Sequence, residues 1–280
     1  MLDLLPSRHG AVLVCGHRGH IVDGHENTRP ALDLAAAHGA SMCEIDLRMT
    51  ADRRLVVFHD DILDDASTGT GLISHLTYAE VARSRTRSRH GLPIEGQPIA
   101  LFEDILAHCR TLGLGMIVEV KDRFADTAYL EQVAASIRAA DMAGAVLISS
   151  FDYVTLREMK AIAPEMRSMG INYHRLADPA GAARSAAMDV MNTDYPQFAP
   201  DIARALHEAD VAVSHYLPRP DHFARRRAYG DDYHARLATI LQDGLVDMIV
   251  CDDVAWATGF VRDCGLTIAR AGLATGAAHV

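Results

Sequence analysis

The sequence predicts an α/β protein, a TIM-type (β/α)8 barrel with a small insertion after the third strand. Short apolar runs alternate with helical patterns through most of the chain, and repeated β-then-α units imply a parallel sheet. The strand-like runs number nine, one more than a closed ring of eight needs. No G-x-G-x-x-G or G-x-x-x-x-G-K-[ST] loop follows the first run, which counts against the runner-up, a doubly wound open sheet.

The elements follow in order. AVLVCG at 11–16 is a buried strand. TRPALDLAAAHG at 28–39 is a helix, with Thr28 as candidate N-cap and Gly39 as its stop. SMCEIDL at 41–47 and LVVFH at 55–59 are strands joined through Thr50 to Arg53, a link too short for a parallel crossover. A hairpin is expected there, with one of the two strands outside the ring. Residues 60–98 lose the rhythm and are rich in Asp, Gly, Ser, Thr and Arg, as an excursion from the barrel would be. Strands then recur at 115–121, 145–150, 166–171, 188–192, 211–214 and 246–251. Helices are expected at 126–141, 153–163, 179–187, 200–209 and 231–243. One domain over 1–280, with the 60–98 insertion inside it, is the expected organisation.

Composition narrows the function classes. At 280 residues and 49% hydrophobic, the chain can bury one large aliphatic core. Its formal charge of −10 disfavours nonspecific binding to nucleic acid or anionic membranes, yet a local cation cluster still admits an anionic substrate. Lysine occurs only at 121 and 160, so each position is informative. The cysteines are five, form no C-x-x-C and sit mostly in apolar runs, as buried reduced thiols do. The N-terminus shows no signal peptide and no apolar run is long enough for a bilayer span; a cytoplasmic protein without stable membrane insertion is expected. A homo-oligomer is left open.

Ionisable residues gather where the early strands end, the face on which barrel enzymes build their sites. The first strand runs into Gly16-His17-Arg18-Gly19. Glu44 and Asp46 are two apart, so they share one face of their strand; facing the surrounding helices would suit charge poorly, so the inner face is expected. Adjacent carboxylates repel unless one is protonated or a cation joins them, and oxygen ligands suit one divalent cation, Mg2+ or Ca2+. His59 leaves the third strand beside Asp60 and Asp61, and Glu119 and Lys121 share a face of the strand at 115–121. Each feature alone is equally a surface turn, a solvated acid or a structural ion pair. Together they match phosphoester cleavage, which needs a cation for the phosphoryl charge, a base and an acid.

At this point the sequence resembles the glycerophosphodiester phosphodiesterase family, within the phospholipase-C-like barrels. The likeness runs through His17-Arg18-Gly19, Glu26-Asn27-Thr28, Gly39-Ala40, Glu44-x-Asp46, Thr50, Val56-Val57-x-His59-Asp60, Leu63 and Thr68-Gly69-x-Gly71. It continues at Thr77 and Glu80, Glu119-Val120-Lys121, Ser150-Phe151 and Val246-Asp247-x-Ile249-x-x-Asp252. The resemblance implies His17 and His59 as general acid and base. It implies Glu44, Asp46 and Glu119 as cation ligands, Glu26 at or near that site, and Arg18 and Lys121 on phosphate. It also implies attack by a neighbouring glycerol hydroxyl and a cyclic phosphate that water opens, giving an alcohol and a phosphomonoester. The pattern departs at Asp65-Ala66-Ser67, at Ala212 to Tyr216 and at His20 to His25. These departures touch substrate choice, with a glycerophosphodiester or a sugar phosphodiester as small-molecule partner, and make His20, His25 and His215 candidate specificity residues. A lyase or transferase acting through the cyclic phosphate, or a noncatalytic phosphodiester-binding barrel, is the alternative on the same fold.

Overall fold

The computed structural model describes residues 2–89, 91–122 and 126–272; residue 90 of the excursion and the last eight residues of the expected domain lie outside them. Eight parallel strands close into a ring. In chain order they are β1 (Ala11–Gly16), β2 (Met42–Met49), β4 (Gly115–Val120), β5 (Val146–Ser150), β6 (Arg167–Gly170), β7 (Val190–Asp194), β8 (Ala212–Leu217) and β9 (Met248–Cys251). Pairing of Cys15 with Met42 and of Gly16 with Cys43 shuts the ring between β1 and β2, which rules out the open sheet. The expected hairpin is present: β3 (Leu55–Val57) runs antiparallel to the end of β2 and stays outside the ring. A two-residue strand that sequence reading missed, β10 (Thr267–Ile268), adds parallel to β1.

The helices are α1 (Arg29–Ala37), α2 (Tyr78–Val81), α3 (Phe102–Leu112), α4 (Thr127–Ala139), α5 (Tyr153–Ile162), α6 (Pro179–Ser185), α7 (Pro200–Glu208), α8 (Pro220–Arg227), α9 (Tyr233–Gln242) and α10 (Val254–Asp263). Many of their starts are written in the sequence: Asp126, Asp152, Asp178, Asp232 and Asp253 each accept a backbone N–H of the first turn. Thr28 stands at the N-cap of α1 but its hydroxyl donates to the His25 carbonyl instead of accepting from the helix. None of the described helices is long and apolar enough to cross a membrane.

Alternation along each strand sorts side chains into two cores. Inward residues Leu13, Met42, Ile117, Leu147, Met169, Val190, Ala212 and Met248 fill the lower barrel, plugged from below by Leu2, Leu4 and Ala271. Outward residues such as Val14, Ile45, Val118 and Ile148 meet Leu32, Phe102, Leu130 and Leu156 of the helices. The excursion carries a third, small core of Phe58, Leu63, Ala66, Ile73, Val81 and Ile99 against Val56. Because the lower barrel is filled with apolar side chains, polar residues on the inward faces are left to the upper, C-terminal mouth.

Candidate active site

The sequence Gly-His-Arg-Gly is dictated by a tight exit from β1. A Cβ on Gly16 would lie 2.6 Å from the Gly19 carbonyl oxygen, and one on Gly19 would lie 2.8 Å from the Ala31 backbone. Gly19 also has φ +94°, and Arg18 and Asn27 adopt left-handed conformations although they are not glycine. The two strained residues hold each other: Asn27 N donates to the Arg18 carbonyl at 3.0 Å. This pinning turns Arg18 N onto Glu44 Oε2 at 3.0 Å, and Asn27 Nδ2 onto Asp46 Oδ2 at 2.7 Å.

Glu44 and Asp46 of β2 and Glu119 of β4 face inward, as the alternation requires, and offer oxygens within 4.8 Å of one another, all buried. Cations crowd the triad. Arg18 Nε is 3.0 Å from Asp46 Oδ2, and Lys121 Nζ is 2.9 Å from Glu119 and 3.5 Å from Asp46. Three carboxylates against two cations leave the pocket one negative charge in excess. Burial drives Glu44 well above the usual carboxylate range, with Asp46 and Glu119 adding repulsion. Burial raises Glu119 as well, again with Asp46 pushing in the same direction. Asp46 goes the other way: burial is outweighed by Arg18 and Lys121, which hold it at about 2. Glu44 Oε1 and Asp46 Oδ1 are buried without a hydrogen-bond partner. Orphaned carboxylate oxygens, a charge excess and an all-oxygen donor set fit a hard divalent cation. Glu26 stands outside the triad, its carboxylate taken by Arg18 at 3.2 Å and by Arg89 at 3.0 Å.

Each imidazole has its own carboxylate. His17 Nδ1 lies 2.8 Å from Asp252 Oδ1 at the end of β9, and His59 Nδ1 lies 2.9 Å from Asp60 Oδ1. Each Nδ1 therefore faces an acceptor, which leaves Nε2 of both rings for other work. Charge links both rings to the triad, His17 through Glu119 and His59 through Asp46. Burial, with Arg18, Lys121 and Arg89 adding positive charge, takes His59 down to about 3 against the pull of Asp46, so it is neutral at physiological pH. Asp252 is lowered because His17 overcomes its burial.

The structure brings together His17, Arg18, Glu26, Glu44, Asp46, His59, Glu119 and Lys121, and gives the other three histidines structural places. His20 is 1% exposed, accepts the Val254 N–H on Nδ1 and so ties the loop after β1 to α10. His25 is buried with Nδ1 2.7 Å from Thr86 Oγ1, joining that loop to the excursion. His215 points away from the barrel axis: it shares the outward face of β8 with Val213 and Leu217. Its Nδ1 donates to the Thr193 carbonyl and its Nε2 takes the Tyr233 hydroxyl, and burial lowers it to about 4. None of the three expected specificity residues therefore opens into the mouth. Residues given no role in the sequence reading do: Asp252 and Asp60 behind the imidazoles, Arg89 from the excursion bonded to both Glu26 and Asp60, and Arg219, whose Nε is 3.5 Å from Asp252. Asp60 and Asp252 were visible as acids at strand ends; Arg89 had no local signal.

The glycerophosphodiester phosphodiesterase of Caldanaerobacter subterraneus subsp. tengcongensis is 28% identical over 162 residues, 58% of this chain and 66% of that protein. The Bacillus subtilis protein YhdW is 27% identical over 153 residues, 55% of this chain and 63% of its own length. The chain thus spans just under two thirds of these curated relatives. A glycerophosphodiester phosphodiesterase structure from Agrobacterium tumefaciens superposes with a TM-score of 0.71 at 25% identity, over 90% of this chain and 99% of that one. An Oleispira antarctica phosphodiesterase, solved with the product sn-glycerol-3-phosphate, has the same fold at a TM-score of 0.73 and 20% identity, over 91% and 99%. The profile of the glycerophosphoryl diester phosphodiesterase family matches residues 17–255, a span that begins at His17 and passes the last site carboxylate, Asp252. With site and profile covering the same stretch, the chain belongs to the glycerophosphoryl diester phosphodiesterase family.

Proposed function

We propose that this chain is a divalent-cation-dependent phosphodiesterase that hydrolyses a glycerophosphodiester, or a related sugar phosphodiester, to an alcohol and a phosphomonoester. The observation that carries the reading is the buried triad Glu44, Asp46 and Glu119, with two oxygens lacking hydrogen-bond partners, set between two imidazoles that each lean on a carboxylate. Those three carboxylates would hold one Mg2+ or Ca2+, which when bound neutralises phosphoryl charge. Arg18 and Lys121 add fixed positive charge beside the same oxygens, and Glu26 orients Arg18.

The imidazoles divide the proton work. His59, held neutral, accepts the proton of the attacking hydroxyl through Nε2. His17, whose Nδ1 is held by Asp252 at 2.8 Å, donates a proton to the departing alcohol oxygen. If a glycerol hydroxyl attacks first, a cyclic phosphate and the free alcohol form. Water then opens the ring with the two roles exchanged, so that one water is consumed overall. The test is a turnover screen of purified protein over glycerophosphodiesters and sugar phosphodiesters with Mg2+ or Ca2+, followed by phosphorus NMR. A phosphomonoester is expected. A cyclic ester that persists would identify a lyase or transferase, and diester binding without turnover under either cation would identify a noncatalytic barrel.

A further inference from the structure

We propose that Arg89, on the excursion, is a positioning residue for the reaction: its one guanidinium joins the carboxylate that holds the His59 ring to the carboxylate that holds Arg18, and so keeps Nε2 of His59 free to act as a base. The inference rests on the phosphodiesterase reading and adds to it a residue from outside the ring of strands.

Every link of that chain is a direct contact. Arg89 Nη2 donates to Asp60 Oδ2, and Arg89 Nε donates to Glu26 Oε1 at 3.0 Å. The other oxygen of Asp60 faces His59 Nδ1 at 2.9 Å, and both oxygens of Glu26 accept from Arg18 Nη1 at 3.2 Å. Each carboxylate thus serves a site residue as well as Arg89. Both are nearly buried, with 12% of the Asp60 side chain and 10% of the Glu26 side chain exposed. Asp60 and Glu26 are balanced by Arg18 and Arg89, so losing Arg89 leaves two acids that share one guanidinium. A planar guanidinium has separate nitrogens for two carboxylates at once, which an ammonium on a flexible stem lacks.

A staple that merely fastened the excursion would have less reason to sit there, because the excursion is fastened by other means. It has its own small core, its segments pair at Ser67 with Thr86 and at Arg85 with Pro98, and Thr86 holds His25 of the loop after β1. The backbone of His59 is also fixed without Arg89. Phe58 N donates to the Asp46 carbonyl at 3.0 Å, and Arg48 donates to the His59 carbonyl through Nε at 3.2 Å and Nη2 at 2.8 Å. What these contacts leave open is the turn of the ring, and among the described residues Asp60 is its hydrogen-bond partner. If that carboxylate swings away, the ring proton is free to reside on Nε2, the nitrogen the base needs empty. Arg18 keeps a second anchor in Asp46 at 3.0 Å, so the loss of Arg89 falls on His59 first.

The test uses the full chain, saturated with the cation that supports turnover, and the best diester of the screen. Arg89→Met keeps the stem and removes the donors. It should melt within about 4 °C of wild type, as the loss of a half-exposed ion pair allows. Its kcat should fall about ten- to a hundredfold while KM moves less than about threefold. Arg89→Lys keeps the charge without the fork and should stay at least about fivefold below wild type in kcat; it supplies the same readings if the Met variant does not fold. Arg85→Met, in the same segment, loses a guanidinium that donates to the Ala82 and Ser84 carbonyls and should change nothing. Nitrogen-15 NMR, with His59 assigned by its absence in His59→Gln, reads the tautomer directly: Nδ1–H in wild type, a mixture with Nε2–H in Arg89→Met. A kcat near wild type in Arg89→Met, full recovery in Arg89→Lys, or an equal loss in Arg85→Met overturns the role. If no diester turns over, a tautomer mixture in Arg89→Met upholds the positioning role while the phosphodiesterase reading falls. An unchanged His59 spectrum in that variant removes Arg89 from the site, whatever the rate.

Discussion

Replacing Glu44 by Gln should separate stability from cation binding. Without a cation, Glu44, Asp46 and Glu119 crowd within 4.8 Å, and burial with like-charge repulsion drives Glu44 well above the usual carboxylate range. The amide keeps the shape, removes one repelling charge and still accepts the Arg18 N–H. Cation-free E44Q should therefore melt at or above the temperature of cation-free wild type. Adding a cation reverses the order. A ligand at 100 times its Kd adds about 2.7 kcal/mol to the folded state. At roughly 2–4 °C per kcal/mol for a chain of this size, wild type should gain about 5–10 °C. E44Q, with one carboxylate of the triad gone, should gain less than about 2 °C at the same concentration. Scanning calorimetry in EDTA and in about 10 mM Mg2+ or Ca2+, at fixed protein concentration, reads all four values. A wild type indifferent to both cations, or a shift of equal size in E44Q, would refute the view that these oxygens wait for a metal.

Three further outcomes follow from named contacts. His17→Ala and His59→Ala should each lower turnover by about two to four orders of magnitude, read with the best diester of the screen; a rate near wild type removes that residue from the mechanism. Gly19→Ala should destabilise by about 2–3 kcal/mol in urea titration, since its Cβ meets the Ala31 backbone at 2.8 Å and φ is +94°; a loss below about 0.5 kcal/mol contradicts the geometry. His215 binds its proton at about 4 when folded and at about 6.5 when unfolded, so its contribution is complete above about 6.5 and shrinks as pH falls toward 4. Between pH 7 and pH 5 it should account for a loss of about 2 kcal/mol that His215→Gln lacks; equal pH slopes in the two proteins would contradict it.

How much could be read in advance depended on whether an effect was local. Alternation put Glu44 and Asp46 on one face and their charge chose the inner one, and the short link at Thr50 to Arg53 made β3 antiparallel. Where a strand end was misjudged, the rule went unapplied, and His215 was named from a departure from the family pattern instead. The strand read as 211–214 runs on to Leu217, and those extra residues put His215 on the outer face and Tyr216 on the inner one. A histidine taken for a specificity residue is thus a packing residue, and its neighbour faces the chemistry. Among the helices, α2, α3, α8 and α10 were not read; α8 is almost wholly polar and buries only Phe223, so it carries no broad apolar stripe.

Ring closure and the supporting shell of the site depend on contacts between distant positions, for which one sequence holds no signal. Asp252 reaches His17 across 235 positions because β9 is the neighbour of β1 in the closed ring. Arg89 reaches Glu26 across 63 because the excursion folds back on its own small core, with the His25–Thr86 contact fixing it to the loop after β1. The acidic triad sits on two adjacent strands and was legible. The groups that orient the imidazoles come from strand ends and loops around the rim, so they are set by tertiary register and not by motif.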